Sequence, residues 1–420
     1  MKDATLALHY GYDKDFQKTM QVPIYMTTAY EYEDTDHAAR LFNLEEEGNI
    51  YTRIGNPTTR VFEKRIAVLE RGVDALATAS GMAAIFYSIA NLVKSGDNII
   101  ISTKLYGGSI TLSTQTLKQF GITAKYFDPQ NPQTLEKLID KNTKAILFES
   151  IANPALTVPD FEQIVKIANE KNVITICDNT LATPYGVKPI ERGVDITVHS
   201  ATKYIGGNGS AVGGCIIEAP FAKNKLKTKR YEHFNTPDKS YHGLVYTEKF
   251  DNPFIARARL ALLRDYGAVI SPFNSWLLIN GLETLHLRIE RHSNSALKVA
   301  EFLNKHPKVK KVNYPFLEND ENYKMAKKYL KYAGGILSFE LESYEEAKKF
   351  IKNLTIFSLV TNIADSKSLA THPASTTHQQ LSREELKAAG VPEGLIRLSI
   401  GLEDVEDLIK DLEEAFEKIG

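Results

Sequence analysis

Cysteine is scarce in this sequence, which has only Cys177 and Cys215 among 420 residues. Two cysteines cannot build a disulfide framework, and neither lies in a C-x-x-C or metal-type spacing. A reducing compartment is therefore the expectation. No apolar window is long enough for a membrane span, and the first residues lack the apolar core of a signal peptide. These absences predict a soluble protein of the cytoplasm.

An excess of charge is also missing, since 51 Lys and Arg side chains face 52 Asp and Glu for a net charge of -1. That balance does not favour nucleic acid or a membrane surface as a partner. The histidines His372 and His378 do not match a familiar metal spacing, so we expect them to be structural and expect no metal.

The chain is longer than one hydrophobic core usually organises, and its pattern divides into three parts. Residues 1–60 are predicted to form an arm that either drapes over its own domain or reaches a neighbouring subunit. Helices alternate with short apolar strands over residues 61–266, which predicts an α/β domain with a mostly parallel, buried sheet. Residues 267–420 are predicted to form a smaller α+β domain. The polar, aromatic-rich stretch 221–253 is treated as an insertion.

Short apolar runs mark the predicted strands. In the larger domain they are residues 74–79, 98–102, 123–127, 144–148, 173–177 and 195–198. Helical periodicity covers residues 111–120 and 276–299, and the smaller domain adds strands at 335–340 and 395–400 and a helix at 403–419. Functional groups of a parallel sheet gather at the carboxyl ends of its strands. The residues that follow each strand are therefore the candidates for a site.

Lys203 follows one of these strands, in Ser200-Ala-Thr-Lys203, and precedes a glycine-rich loop. Its amine can form a Schiff base with an aldehyde cofactor, while the hydroxyls of Ser200 and Thr202 hold a phosphate. A solvated surface lysine is the alternative.

Two further strand ends carry polar residues. Asp178 follows residues 173–177, where an acid is costly unless it is paired. A pyridinium nitrogen would stabilise it and stay protonated in return, and capping of the next turn is the alternative. Ser80 and Gly81 lie at a strand-to-helix turn, whose free N–H groups favour a phosphate. Simple helix capping explains that turn as well.

Aromatic and basic side chains complete the candidates. Tyr106 stands on a glycine turn and can lie over an aromatic ring or be merely exposed. Tyr51 and Arg53 share one face of an extended segment, so they can converge on one anion, or Arg53 can pair with a carboxylate. Arg397 lies within an apolar strand, where it can clamp a substrate carboxylate or form a buried ion pair.

The order of these motifs resembles the cysteine/methionine-metabolism family of pyridoxal-phosphate enzymes, over nearly the whole chain. The matching motifs are residues 51–58, Ser80-Gly-Met82, Asp178-Asn-Thr180, Ser200-Ala-Thr-Lys-Tyr204, residues 372–378 and residues 397–403. The resemblance implies pyridoxal 5'-phosphate as cofactor. It also implies fold type I, which is aspartate-aminotransferase-like, with a mixed seven-stranded sheet and a smaller C-terminal α+β domain.

The resemblance assigns a role to each residue. Lys203 is implied to be the Schiff-base lysine, Asp178 to face the pyridine nitrogen, and Tyr106 to stack on the ring and assist proton transfer. The other implied cofactor contacts are Ser80, Gly81, Met82, Asn153, Thr180, Ser200 and Thr202, joined by Tyr51 and Arg53 from a neighbouring subunit. Substrate contacts are implied for Arg397, Asn362 and Tyr51. Members of the family are typically tetramers built from tight dimers.

Within that family the sequence looks like the O-acetylhomoserine sulfhydrylases. The similarity lies in segments 240–246, 258–265 and 281–288, in Lys367, where cystathionine enzymes tend to carry Glu, and in Gly108, where methionine γ-lyases place a cysteine. Ala364 departs from it, because sulfhydrylases commonly have Gly there. The resemblance implies γ-replacement in methionine biosynthesis, in which O-acetylhomoserine and sulfide give homocysteine and acetate.

Several alternatives stay open. They are cystathionine γ-synthase or methionine γ-lyase activity, O-succinylhomoserine as substrate, and methanethiol or a thiocarboxylate on a sulfur-carrier protein as donor. A non-catalytic binding protein on an enzyme scaffold belongs to another class, and the presence of Lys203 and Asp178 argues against it.

Overall fold

Two sheets organise the chain in the computed structural model, which describes residues 1–376 and 392–419. The larger sheet has seven strands: β1 (Asp74–Thr78), β2 (Asn98–Ser102), β3 (Thr123–Phe127), β4 (Thr143–Glu149), β5 (Ile174–Asp178), β6 (Ile196–His199) and β7 (Gly214–Glu218). The smaller sheet has five: β8 (Lys311–Asn313), β9 (Ile336–Glu340), β10 (Ser358–Leu359), β11 (Leu369–Thr371) and β12 (Leu395–Ser399).

The larger sheet is mixed, with the strand order β1-β7-β6-β5-β4-β2-β3. Strands β2 to β6 pair in parallel, whereas β7 runs antiparallel to both of its neighbours, β1 and β6. Ile99, Ile100 and Ile101 of β2 have no exposed surface, so both faces of the sheet are covered, as parallel sheets require. The α/β class and the mixed seven-stranded sheet are confirmed. The sequence analysis did not predict the antiparallel strand β7.

Sixteen α-helices surround the sheets in the part of the chain that the structure describes. They are α1 (Asp3–His9), α2 (Thr35–Phe42), α3 (Pro57–Glu70), α4 (Gly81–Ala90), α5 (Gly107–Thr111), α6 (Leu135–Leu138), α7 (Phe161–Glu170), α8 (Thr183–Gly186), α9 (Ala222–Leu226), α10 (Tyr246–Lys249), α11 (Pro253–Arg257), α12 (Arg264–Tyr266), α13 (Pro272–Lys305), α14 (Tyr323–Tyr329), α15 (Tyr344–Asn353) and α16 (Val405–Glu417). Among the described residues, 1–376 and 392–419, no helix is long and apolar enough to cross a membrane.

Two predicted helices differ from the observed ones. Helix α13 begins at the Ser271 cap, whose side chain accepts the N–H of Asn274, and it runs beyond the predicted residues 276–299 at both ends. The helix predicted over 111–120 is wrong in type. It is a π-helical turn (Leu112–Thr116) followed by a 3-10 turn (Leu117–Phe120), with α5 preceding them.

The arm lies partly against its own chain. Helix α1 packs on α3 and α13, and the Arg65 guanidinium of α3 donates to the carbonyls of Leu8 and Tyr10. Phe16 and Met20, farther along the arm, remain largely exposed. The division into residues 1–60, 61–266 and 267–420 stays a prediction.

The stretch 221–253 packs into the larger domain. Tyr231 lies in its 3-10 turn (Lys229–Phe234) and has no exposed surface. Its hydroxyl accepts the N–H of Ile174 and donates to the carbonyl of Lys144, each at 2.7 Å. One buried hydroxyl thus ties the stretch to β5 and β4.

Replacing Tyr231 with Phe should lower the free energy of unfolding by about 1–3 kcal/mol, because the buried N–H and carbonyl lose their partner. Urea unfolding measures the change. Tyr126→Phe is the matched control, since Tyr126 is exposed on β3. Equal stability of the Tyr231 variant and this control would contradict the structural role of the hydroxyl.

Candidate active site

A cavity of about 440 Å³ opens at the carboxyl edge of the larger sheet, where the smaller sheet meets it. Twelve residues singled out from the sequence line it: Ser80, Gly81, Met82, Tyr106, Asn153, Asp178, Thr180, Ser200, Thr202, Lys203, Asn362 and Arg397. Ligands of open α/β sheets bind at this edge. The fold therefore brings together residues that are more than 300 positions apart in the sequence.

Lys203 places its amine inside this cavity. It lies just after β6, and its Nζ donates a hydrogen bond to Oδ1 of Asn362. Burial of the side chain, together with the positive charge of Arg397, lowers the pKa of Lys203. A lowered pKa increases the share of neutral amine near neutral pH, and the neutral amine is the nucleophile.

Asp178 ends β5 beside the lysine loop. Its Oδ1 accepts hydrogen bonds from the backbone N–H and the hydroxyl of Thr180, and that same hydroxyl accepts the N–H of Ser200. Burial raises the pKa of Asp178, while the bonds from Thr180 and the nearby His199 oppose the rise. A cation at this point would stabilise the ionised carboxylate.

The turn before α4 is built for close approach. Ser80 Oγ accepts the N–H of Ala83, so the serine does cap the helix. A Cβ placed on Gly81 would lie 2.5 Å from Cβ of Ser200, so no side chain fits between the two segments. The first turn of α4 and the loop that carries Ser200 thus share one wall of the cavity. Free N–H groups at such a helix start favour an anion.

Arg397 lies on β12 and reaches the cavity from the smaller sheet. Its Nη2 donates to the carbonyl of Thr361 at 2.9 Å, and Nη1 lies 3.4 Å from Oδ1 of Asn153. Within residues 1–376 and 392–419, no carboxylate forms an ion pair with it, so the buried-pair alternative lacks support there. Burial lowers the pKa of Arg397 to about 10. A buried guanidinium without an acid is suited to an anionic ligand.

Tyr51 and Arg53 are not part of the cavity wall in this chain. Tyr51 forms a β-bridge with Ala29, and the Arg53 guanidinium donates to the carbonyl of Arg264. Their expected role requires a neighbouring subunit, so a single chain does not test it.

His372 is held by the protein itself. Its ring nitrogens bond Ser375 Oγ and the carbonyl of Glu393. His378 lies outside the described residues. Over the described ranges, no group of three or more metal-binding side chains comes together.

The sequence analysis missed Glu149, which lies at the cavity floor beside Asp178. It also missed an apolar wall formed by Ile85, Ile151, Leu181, Val212, Val360 and Ile363. A signal for Glu149 was present, since it follows the apolar run 144–148 just as Asp178 follows 173–177. No periodicity identifies the apolar wall, because Ile85 comes from α4 and the other residues come from separate loops.

The charge of Arg397 should set the pH at which Lys203 becomes reactive. Removing that charge in Arg397→Gln raises the pKa of Lys203, so its labelling by acetic anhydride should shift to higher pH. The measurement is competitive labelling, read by mass spectrometry, on protein freed of any bound carbonyl compound.

Arg397→Lys is the control, because it retains the positive charge and should keep the labelling profile near that of the original chain. Identical profiles for the Gln variant and the original chain would exclude the electrostatic effect.

Known proteins resemble this chain over its full length. The model of the Cys/Met metabolism PLP-dependent enzymes matches residues 4–417. The O-acetyl-L-homoserine sulfhydrylase of Leptospira meyeri is 48% identical, over 100% of this chain and 97% of its own. The homocysteine synthase of Schizosaccharomyces pombe is 46% identical, over 98% and 97%.

A crystal structure from Campylobacter jejuni superposes on this chain with a TM-score of 0.97 at 50% identity, covering 99% of this chain and 100% of the other. It is described as that of an O-acetylhomoserine (thiol)-lyase and contains N'-pyridoxyl-lysine-5'-monophosphate. With a half-buried lysine, a strand-end acid and a buried arginine in one cavity, this chain belongs to the Cys/Met metabolism family of PLP-dependent enzymes.

Proposed function

We propose that this enzyme converts O-acetyl-L-homoserine and sulfide into L-homocysteine and acetate, a γ-replacement in methionine biosynthesis. The observation that supports this most strongly is that Lys203, Asp178 and Arg397 share one cavity, where Arg397 has no ion pair with any described acid. The chain is also similar along its full length to proteins named for this reaction. The names of the relatives indicate the substrate, and the cavity contains groups suited to binding it.

The residues present fit pyridoxal phosphate. Gly81 at the start of α4 and Ser200 both line the cavity, and N–H groups at a helix start favour an anion. Asp178, whose pKa burial raises, gains from a pyridinium neighbour, and Lys203 offers an amine with a lowered pKa. A phosphate, a protonated ring and an aldehyde thus each find a suitable group.

The proposed cofactor residues divide by the part they hold. Lys203 binds the aldehyde, Asp178 the ring nitrogen, Tyr106 the ring face and Asn153 the ring hydroxyl. The phosphate is held by Ser80, Gly81, Met82, Ser200 and Thr202, with Tyr51 and Arg53 contributed by a neighbouring subunit. Thr180 orients Asp178 through its two hydrogen bonds.

Bound pyridoxal phosphate supplies an aldehyde that captures the substrate amine and a protonated ring that withdraws electrons from Cα. Arg397 binds the substrate carboxylate, with Asn362 beside it, and fixes the orientation of the Cα–H bond. Lys203 Nζ, as a neutral amine, accepts the Cα proton. A second proton is then lost from Cβ, and the electron pair left there expels acetate from Cγ. Hydrosulfide forms the new Cγ–S bond, and protons return to Cβ and Cα, so that overall HS⁻ replaces acetate. Tyr106 is proposed to assist proton transfer at the leaving group.

Two positions are proposed to favour sulfide over cysteine or elimination. Lys367 is exposed on the segment that begins at Asn362, and its positive charge would repel the amino group of cysteine. Gly108 leaves space beside Tyr106, since a Cβ there would lie 2.6 Å from Cε1 of that ring. A cysteine at this position would displace the ring.

An assembly larger than one chain is also proposed, a tetramer with active sites shared across a dimer interface. The exposed Phe16 and Met20 of the arm support it, because they are apolar side chains that a neighbouring subunit would cover. A cytoplasmic location is proposed from the two cysteines, which are free and buried.

A steady-state comparison tests the proposal. O-acetylhomoserine and O-succinylhomoserine are each offered with sulfide, methanethiol and cysteine, and homocysteine or the corresponding product is measured. We expect the acetyl ester with sulfide to give the highest kcat/KM. The Lys203→Ala variant is the inactive control. Efficient use of cysteine would instead identify a cystathionine-forming enzyme.

Replacing Lys367 with Glu should raise kcat/KM for cysteine as acceptor by about two- to fivefold, the range of exposed charge pairs. Sulfide carries no amino group, so its use should hardly change. Lys367→Gln removes the charge without adding an acid, so its kcat/KM for cysteine should lie between those of the original chain and the Glu variant. An unchanged kcat/KM for cysteine in the Lys367→Glu variant would show that Lys367 does not determine acceptor specificity.

A further inference from the structure

Glu149 is a buried acid that lines the cavity, and the proposed reaction does not use it. It ends β4 and lies directly opposite Asp178 of β5 in the register of the sheet. Only 6% of its surface is exposed, and it lines the cavity. Two carboxylates on adjacent strand ends are electrostatically costly, so an explanation for the second one is needed.

The two oxygens of Glu149 bind two different segments. Oε1 accepts the backbone N–H of Tyr106 at 2.7 Å, and Oε2 accepts the backbone N–H of Asn153 at 3.0 Å. Tyr106 begins the turn into α5, and Asn153 lies in the loop after β4. Both of these residues line the cavity with their side chains. One carboxylate therefore ties together the loops that follow the neighbouring strands β2 and β4.

An ionised carboxylate suits this arrangement. Both of its oxygens accept, whereas a protonated one must donate from one oxygen. Burial and the charge of Asp178 raise the pKa of Glu149, and the two backbone N–H groups act in the opposite direction. A cation beside Asp178 would relieve the repulsion. The clamp and a cationic ring would thus stabilise each other.

We infer that Glu149 is a positioning residue, whose carboxylate clamps Tyr106 and Asn153 so that both side chains face the bound cofactor. It touches neither substrate nor reacting atoms. The inference rests on the cofactor site and is independent of which ester or sulfur donor the enzyme uses. Cofactor affinity is therefore measured without any substrate. A result that refutes the inference about Glu149 would leave the proposed reaction untouched.

The test compares affinity for pyridoxal 5'-phosphate in protein stripped of it. Glu149→Gln keeps the size of the side chain but presents an NH2 group to one of the two N–H donors. We expect about tenfold weaker binding, the effect of losing one hydrogen bond to a charged group. Glu149→Asp keeps the charge but is too short to reach both loops, so it should be weakened as well. Normal affinity of the Asp variant would overturn the clamp.

Glu218 provides the matched control. It is also buried, its pKa is raised by burial to about 8, and it accepts the N–H of Ile255. It ends β7, which runs antiparallel to β6, and so it lies at the opposite edge of the sheet. Glu218→Gln should leave cofactor affinity unchanged. An equal loss in both Gln variants would indicate general destabilisation and overturn the proposal.

A double-mutant cycle with Tyr106→Ala supplies a readout that a purely structural acid would not move. If Glu149 acts by placing the Tyr106 ring, its replacement should cost less affinity when the ring is already gone. Fully additive losses would contradict the inference.

Amide hydrogen exchange on the original chain covers the case in which the Gln variant fails to fold. The amides of Tyr106 and Asn153 should exchange slowly, and rapid exchange at both would refute the clamp.

Discussion

Two carboxylates at adjacent strand ends, one buried and one half-buried, dominate the electrostatics of this site. Asp178 and Glu149 face each other across β5 and β4, and burial raises the pKa of each. The described chain offers hydrogen bonds to both acids, and His199 lies near Asp178, but it supplies no ion pair to either. A positively charged ring is a ligand that would resolve this repulsion. Two acids at neighbouring strand ends thus favour a cationic group at this point of the cavity.

The second constraint is that the site requires both sheets. Lys203 extends from the larger sheet, Arg397 from the smaller one, and Asn362 connects them. The side chain of Asn362 accepts from Lys203, and its carbonyl lies 3.4 Å from Nη2 of Arg397. The positive charge of Arg397 in turn lowers the pKa of Lys203. Relative movement of the two sheets would therefore alter the reactivity of the lysine as well as the space for substrate.

The strand ends were predictable from the sequence, and the loops between them were not. Apolar runs located β2 and β5 almost to the residue, because a buried parallel strand must be apolar on both faces. Asp178 and Lys203 follow such runs and were identified from them. Strand β7 was missed because it pairs antiparallel and follows a glycine-rich loop. The apolar wall was missed because its residues meet only after the chain has folded.

Single residues gave weaker signals than their arrangement did. Lys203 alone is indistinguishable from a solvated surface lysine, and Arg397 alone from a buried ion pair. The structure supports the ligand-binding alternative for Arg397, since its described partners are carbonyl groups and an amide. For Tyr51 and Arg53 the question depends on a second chain, which a sequence pattern cannot supply.

Two independent contacts determine where the Tyr106 ring lies. Glu149 holds the backbone N–H of Tyr106, and the missing side chain of Gly108 leaves room for the ring itself. A Cβ at Gly108 would come closer to the ring than any real contact allows. A substitution at either Glu149 or Gly108 would therefore change the position of the Tyr106 ring. A side chain at Gly108 would displace the Tyr106 ring, whereas neither Lys203 nor Asp178 is among its nearest contacts. A change at this one position can thus reshape the space around the ring while the lysine and the strand-end acid stay where they are.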